Sequence, residues 1–121
     1  MGKIAFIFAG QGAQAPGMGK ELAENFECAA KTFDEACEAV GFDIKDMIFN
    51  GDKETLMITE NTQPTVVTMS VAALRVLEEK GVRPDVVAGL SLGEYTAHVA
   101  SGSIDFKDAV RPVKKRGKYM Q

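Results

Sequence analysis

The sequence predicts an α/β fold on a parallel sheet, from three observations. Two short, almost continuously apolar runs, residues 3–8 and 85–88, have the length and composition of strands in a parallel sheet. Each run leads into a glycine-bearing bend. The remaining segments carry apolar residues at helical spacing, giving the order strand, helices, strand, helix, helix. In such folds ligands collect at the carboxyl ends of the strands.

The elements follow in order. Residues 3–8 read Lys-Ile-Ala-Phe-Ile-Phe, a run whose lack of alternation predicts a strand covered on both faces. The loop 9–14 bends sharply because Gly10 and Gly12 tolerate backbone angles that other residues avoid. Over residues 19–40, Leu22, Phe26, Ala29, Ala30, Phe33, Ala36, Cys37 and Val40 recur at three and four, which predicts one helix stopped by Gly41. A short helix is expected over 44–49, then a turn at Asn50-Gly51.

Residues 65–80 give the strongest helical pattern, with Pro64 in a first-turn position, a stripe through Val67, Ser70, Val71, Leu74 and Leu77, and Gly81 as the stop. A second buried strand is expected at 85–88, a helix over about 92–100 broken by Ser101-Gly102, and a last helix from about 105 to the end. A sheet of two strands is a poor free-standing core, so this chain is expected to need more polypeptide, or a partner, to cover it.

Composition excludes several function classes. Hydrophobic residues make up 45% and charged residues 26%, enough apolar material for a core and too much for disorder. A net charge of −3 gives no footprint for nucleic acid or an anionic membrane surface. No apolar stretch approaches the roughly 20 residues that span a bilayer. Cys28 and Cys37 are nine apart in one predicted helix, too far to pair with each other, and their spacing suits no metal. Unpaired thiols point to a reducing, cytoplasmic location.

Gly89-Leu90-Ser91-Leu92-Gly93 follows an apolar strand and precedes a helix, the setting in which G-x-S-x-G forms a nucleophile elbow. Such a turn projects Ser91 Oγ from the end of the sheet, and the following helix aims its positive end at it. The simpler alternative is a strand-to-helix turn with Ser91 as N-cap. An oxyanion hole needs two donors from different segments. The N–H of Leu92 is one candidate, and that of Gln11, in the loop at the end of the first strand, is the other. Gly10-x-Gly12-x-x-Ala15 also fits a dinucleotide fingerprint loosely. Pro16 and Gly17 interrupt that reading, and Asp34 and Glu35 fall in a helical pattern with no strand between.

Four segments resemble the malonyl-CoA:acyl carrier protein transacylase family. Residues 6–14, Gln63-Pro64-Thr65, residues 89–95 and residues 116–121 are similar, in order and spacing, to its first strand and glutamine loop, its Thr-Gln-Pro helix start, its nucleophile segment and its arginine motif. The resemblance implies a parallel-sheet serine acyltransferase or hydrolase-like subdomain with a nucleophile elbow. Residues 1–121 would form the N-terminal part of the large subdomain, with the small inserted subdomain and later strands absent.

It further implies a ping-pong reaction in fatty acid biosynthesis. Ser91 would take malonyl from malonyl-CoA and pass it to the phosphopantetheine thiol of acyl carrier protein. Gln11 and Leu92 N–H groups would hold the oxyanion, and Arg116 the free malonyl carboxylate. The partners would be malonyl-CoA and acyl carrier protein, with no nucleic acid, no membrane, no metal and no tightly bound cofactor.

The chain departs from the family in several places. The family's base is a histidine far downstream, whereas the sole histidine here is His98, seven residues past Ser91 and about 10 Å along a helix, beyond reach of the hydroxyl. These residues by themselves are therefore expected to be inactive. Leu90 stands where a histidine is frequent, and His98 where an aliphatic residue is usual. Pro112 replaces the usual leucine, so a kink or break is expected near 108–112, which puts the aim of Arg116 in question. Glu94 reads as a first-turn acid and Tyr95 as packing. A serine hydrolase or thioesterase would use the same elbow with water as acceptor, and a non-catalytic interaction fragment would lack the base altogether.

Overall fold

Two parallel strands fix the frame of the molecule. In the computed structural model, which describes residues 2–121, β1 (Ala5–Phe8) lies beside β2 (Val86–Gly89), with Ala5 opposite Val86 and Phe8 opposite Gly89. Asp85 pins the entry of the pair. Its Oδ2 accepts from the Ile4 N–H at 2.7 Å, and its own N–H donates to the Ile4 carbonyl at 2.7 Å. The helices are α1 (Lys20–Asn25), α2 (Glu27–Val40), α3 (Ile44–Asn50), α4 (Lys53–Met57) and α5 (Thr59–Glu79) before β2, then α6 (Gly93–Ala100) and α7 (Phe106–Met120).

The expectation that both strands are covered on both faces is not met. Side chains alternate along a strand, and the face shared by Ala5, Ile7, Val86 and Ala88 is open, with Ile7 81% and Val86 58% exposed. Phe6, Phe8 and Val87, on the other face, are half-buried. The lack of alternation in the sequence records a demand for cover that residues 2–121 meet on one side only.

Stability therefore resides in the helices. Phe33 and Ala36 of α2, Ile44 and Ile48 of α3, Val67 and Val71 of α5, and Val110 and Val113 of α7 are wholly buried in one cluster. Burying each large apolar side chain contributes about 1.5–3 kcal/mol. Arg75 on α5 ties this layer together. Its Nη1 donates to Thr32 Oγ1 at 2.9 Å and to Glu35 Oε2 at 2.6 Å, and the guanidinium sits 5.3 Å from the centre of the Phe106 ring. Lys107 on α7 reaches Glu38 on α2 at 2.9 Å, and that hydrogen bond holds the Glu38 carboxyl below its ordinary range.

The helix expected over 19–40 is two helices, separated by Phe26 in an extended conformation with φ −132° and ψ 119°. Phe26 stays packed against the core, and Lys80 lies 5.2 Å over its ring, so the apolar spacing runs through the break. Gly41 closes α2 as expected, at φ 81°. Helix α4 has no counterpart among the expected elements. Its start is marked by Asp52, whose carboxylate accepts from the Thr55 N–H at 2.8 Å, the same capping that Asp43 gives α3.

Helix α5 begins at Thr59, six residues before the expected start, so Pro64 lies in its interior. Pro64 has no N–H to offer the Glu60 carbonyl. At the start of this helix α7 passes close by. A Cβ placed on Gly117 would lie 2.7 Å from the Thr59 oxygen and 2.9 Å from Glu60 Cα.

No break occurs at Pro112, contrary to expectation, because α7 runs unbroken from Phe106 to Met120. The pyrrolidine ring is on the exposed side, while Phe106, Ala109, Val110, Val113 and Gly117 are buried along the other. Burial of that stripe outweighs a proline penalty of about 3 kcal/mol. Pro112→Ala should then restore a hydrogen bond to the Asp108 carbonyl and raise the unfolding free energy, by up to about 3 kcal/mol. Urea denaturation measures this, and an unchanged midpoint would show that α7 bears no proline strain.

Candidate active site

The site is assembled where β1 and β2 end side by side. Phe8 is level with Gly89, so the loops that follow leave the same edge of the sheet. The second loop is folded tightly back on itself, with the Gly93 N–H donating to the Leu90 carbonyl at 3.0 Å. Two glycines make this possible. A Cβ on Gly89 would overlap the carbonyl of Gly93, and a Cβ on Gly93 would overlap the carbonyl of Phe8.

Between them Ser91 adopts φ 54°, alone among the described non-glycine residues in having a positive φ. A left-handed serine is strained by roughly 1–2 kcal/mol, and here the glycine contacts on either side hold it. The plain turn with Ser91 as N-cap is not what forms. Leu92 occupies the N-cap position of α6 without a side-chain cap, and Ser91 Oγ points elsewhere.

It points to Arg116. The Arg116 Nη2 donates to Ser91 Oγ at 2.9 Å, and Nη1 donates to Gln63 Oε1 at 2.6 Å. The guanidinium also lies 5.5 Å from the centre of the Tyr95 ring, within cation–π range. Pro112 thus does not misdirect Arg116. Because α7 stays helical, Arg116 falls on the side facing α5 and the elbow, and neighbouring Gly117 permits the close crossing.

Gln11 lies in the other loop, exposed, with its side-chain amide donating to Thr59 Oγ1 at 3.4 Å. Gly12 N–H donates to Gln14 Oε1 at 2.8 Å and Ala13 N–H to the Gly10 carbonyl at 3.3 Å, which fixes the bend. Among the described residues, neither the Gln11 nor the Leu92 N–H is taken up by a protein acceptor. The two loops touch, since a Cβ on Gly10 would lie 3.2 Å from the Leu90 oxygen.

Other candidates fall away from this centre. His98 is exposed on α6, two turns and about 10 Å from Ser91. Glu94 is an exposed acid in the first turn of α6. The dinucleotide reading is not supported, because Asp34 and Glu35 lie inside α2 and helices, not a strand, follow the glycine loop. Gln63, read only as part of a helix-start motif, and Tyr95, read as packing, are both neighbours of the Arg116 guanidinium. Gln63-Pro64 is a motif in the sequence, but that the amide is wholly buried and faces a guanidinium 53 residues away is a matter of packing.

A strained serine on a strand-to-helix bend, contacted by an arginine and flanked by a second glycine loop, defines an α/β protein of the nucleophile-elbow class. More narrowly, the chain belongs to the acyl transferase domain family, which residues 5–121 match. The malonyl CoA-acyl carrier protein transacylase of Bacillus subtilis (strain 168) is 52% identical over 120 residues, covering 99% of this chain and 38% of that protein. The crystal structure of the Clostridium perfringens malonyl CoA-acyl carrier protein transacylase is 48% identical, with a TM-score of 0.95 over 99% of this chain and 38% of that one. A malonyl-transacylase solved in complex with a type II PKS acyl-carrier protein is 45% identical, with a TM-score of 0.94 over 99% of this chain and 39% of the other. This chain thus spans about 38% of the length of the curated relative.

The strain at Ser91 has a measurable signature. Glycine accepts φ 54° freely and alanine does not, so Ser91→Gly should be more stable to denaturant than Ser91→Ala by about 1 kcal/mol. Equal midpoints would mean that the turn relaxes without strain.

Proposed function

We propose that residues 1–121 are the N-terminal part of the large subdomain of a malonyl-CoA:acyl carrier protein transacylase. The reading rests above all on the 2.9 Å contact between the Arg116 guanidinium and the hydroxyl of Ser91. A fixed cation beside a nucleophile suits an acyl group that carries a second, free carboxylate. Malonyl has that form, and a guanidinium recognises it through parallel charge-assisted hydrogen bonds.

In this scheme Ser91 Oγ attacks the thioester carbonyl of malonyl-CoA. The carbonyl oxygen becomes an oxyanion held by the free N–H groups of Gln11 and Leu92. The carbon–sulfur bond then breaks, coenzyme A leaves as the thiol with the serine proton, and malonyl remains as an ester on Ser91. The phosphopantetheine thiol of acyl carrier protein attacks that ester, gives up its proton and restores the serine. Arg116 exchanges its Nη2 contact with Ser91 Oγ for the malonyl carboxylate when substrate enters. These groups need no tightly bound cofactor, because coenzyme A and the carrier enter as substrates.

The base that takes the serine proton would come from polypeptide outside these residues, since His98 is two turns away on an exposed face. The free thiols Cys28 and Cys37, both raised above their ordinary pKa chiefly by burial, favour a reducing compartment, the cytoplasm. Hydrolysis on the same elbow would use Arg116 in the same way, so the acceptor, thiol or water, is what separates the two readings.

The test compares residues 1–121 alone with the same chain continued to the length of its relatives, both given malonyl-CoA. The longer polypeptide should gain one malonyl group on Ser91, seen by intact mass and peptide mapping, and pass it to acyl carrier protein. Residues 1–121 alone should turn over at no enzymic rate. Arg116→Ala should lower malonyl transfer roughly 10- to 100-fold, the effect of about 1.4 to 2.7 kcal/mol from a charged hydrogen bond. Rapid release of free malonate in place of transfer would favour a hydrolase.

A further inference from the structure

We infer that Gln63 is a positioning residue that sets the preference for a carboxylate-bearing acyl group, by fixing the plane and reach of the Arg116 guanidinium. The inference rests on the proposed role of Arg116.

The case begins with burial. Gln63 is wholly buried on α5, and its Oε1 accepts from Arg116 Nη1 at 2.6 Å. A guanidinium has donors only, so the amide oxygen faces it and the amide nitrogen faces away, toward Met120 Sδ at 3.3 Å. Water has no access to Oε1, and a buried acceptor that loses its donor is strongly penalised. The buried amide oxygen therefore holds the contact from the Gln63 side.

Both ends stand on helices locked together. Gly117, beside Arg116, lies against the backbone of Thr59 and Glu60, one turn before Gln63. Met120, one turn further along α7, meets the other end of the same amide. The amide thus bridges two positions of α7 and removes one N–H of Arg116 from competition. Of the remaining donors, Nη2 lies on Ser91 Oγ at 2.9 Å. An acyl carboxylate arriving at Ser91 meets a guanidinium already oriented, which is how geometry converts into selectivity.

An acyl group without a carboxylate makes no use of Arg116. The loss of Gln63 should then fall on malonyl and spare acetyl. In the longer polypeptide that acylates Ser91, Gln63→Leu should slow acyl-enzyme formation from malonyl-CoA about tenfold, the value of one charged hydrogen bond, and leave the rate from acetyl-CoA within about twofold. Gln63→Glu should lower the malonyl rate further, since its carboxylate occupies Arg116, and should also spare acetyl. Crystals of Gln63→Leu should show Arg116 withdrawn from Ser91 Oγ.

Equal losses on both substrates, or Arg116 still on Ser91 in the leucine variant, would overturn the inference. Arg116→Ala separates it from the reading beneath. If that variant loses the malonyl preference while both Gln63 variants keep it, only the role of Gln63 fails. If Arg116→Ala keeps the preference, the carboxylate assignment itself falls.

Discussion

The approach of one backbone to another, with no Cβ between them, is the constraint on which the site depends. Gly93 stands against the Phe8 carbonyl and Gly89 against Gly93. Any other residue at either position would push the elbow off the end of β1. With the approach made, Ser91 is forced to φ 54° and its side chain leaves the turn on the side where α7 passes. The strain is small beside the burial in the helical core, so the core can hold it. Nucleophile geometry here follows from steric exclusion rather than from any bond to the serine.

A second backbone approach, with the same logic, delivers the cation. Gly117 lets α7 lie on the first turns of α5, where Pro64 has already left a carbonyl without its helical donor. Arg116 is adjacent and cannot avoid facing Gln63 and Ser91. Three segments far apart in the chain, near residues 63, 91 and 116, thus meet because glycines sit where elements cross. The Tyr95 ring completes the setting by giving the guanidinium an apolar face to lie on.

Much of this was legible in the sequence, and the rest has physical reasons for being hidden. The elbow was readable because its glycines, serine and flanking strand and helix are local. Arg116 was reached through family resemblance, not periodicity, and Pro112 argued against its aim. Proline rules describe an isolated helix, whereas α7 is held by Phe106, Val110 and Val113, with its proline on the solvent side. The start of α5 differs from expectation for the same reason, since Pro64 marks a helix start only where packing does not override it. The break at Phe26 escaped because the apolar spacing continues across it. The partnership of Gln63 with Arg116 spans 53 residues, and no local pattern encodes it.

The open face of the sheet bears on how labour is divided in the fold. Ser91 and Arg116 are placed by glycine contacts, α5 and α7, all of which lie within the described residues and pack on a buried cluster. Ala5, Ile7, Val86 and Ala88, by contrast, offer an apolar surface to solvent. The frame of the nucleophile and its cation thus packs on the buried helical cluster, while the sheet that carries it is covered on one side. Apolar strand faces gain stability only when water is removed from them. Cover on that face would therefore stabilise the register of β1 and β2, and with it the alignment of Phe8 and Gly89 on which the elbow stands.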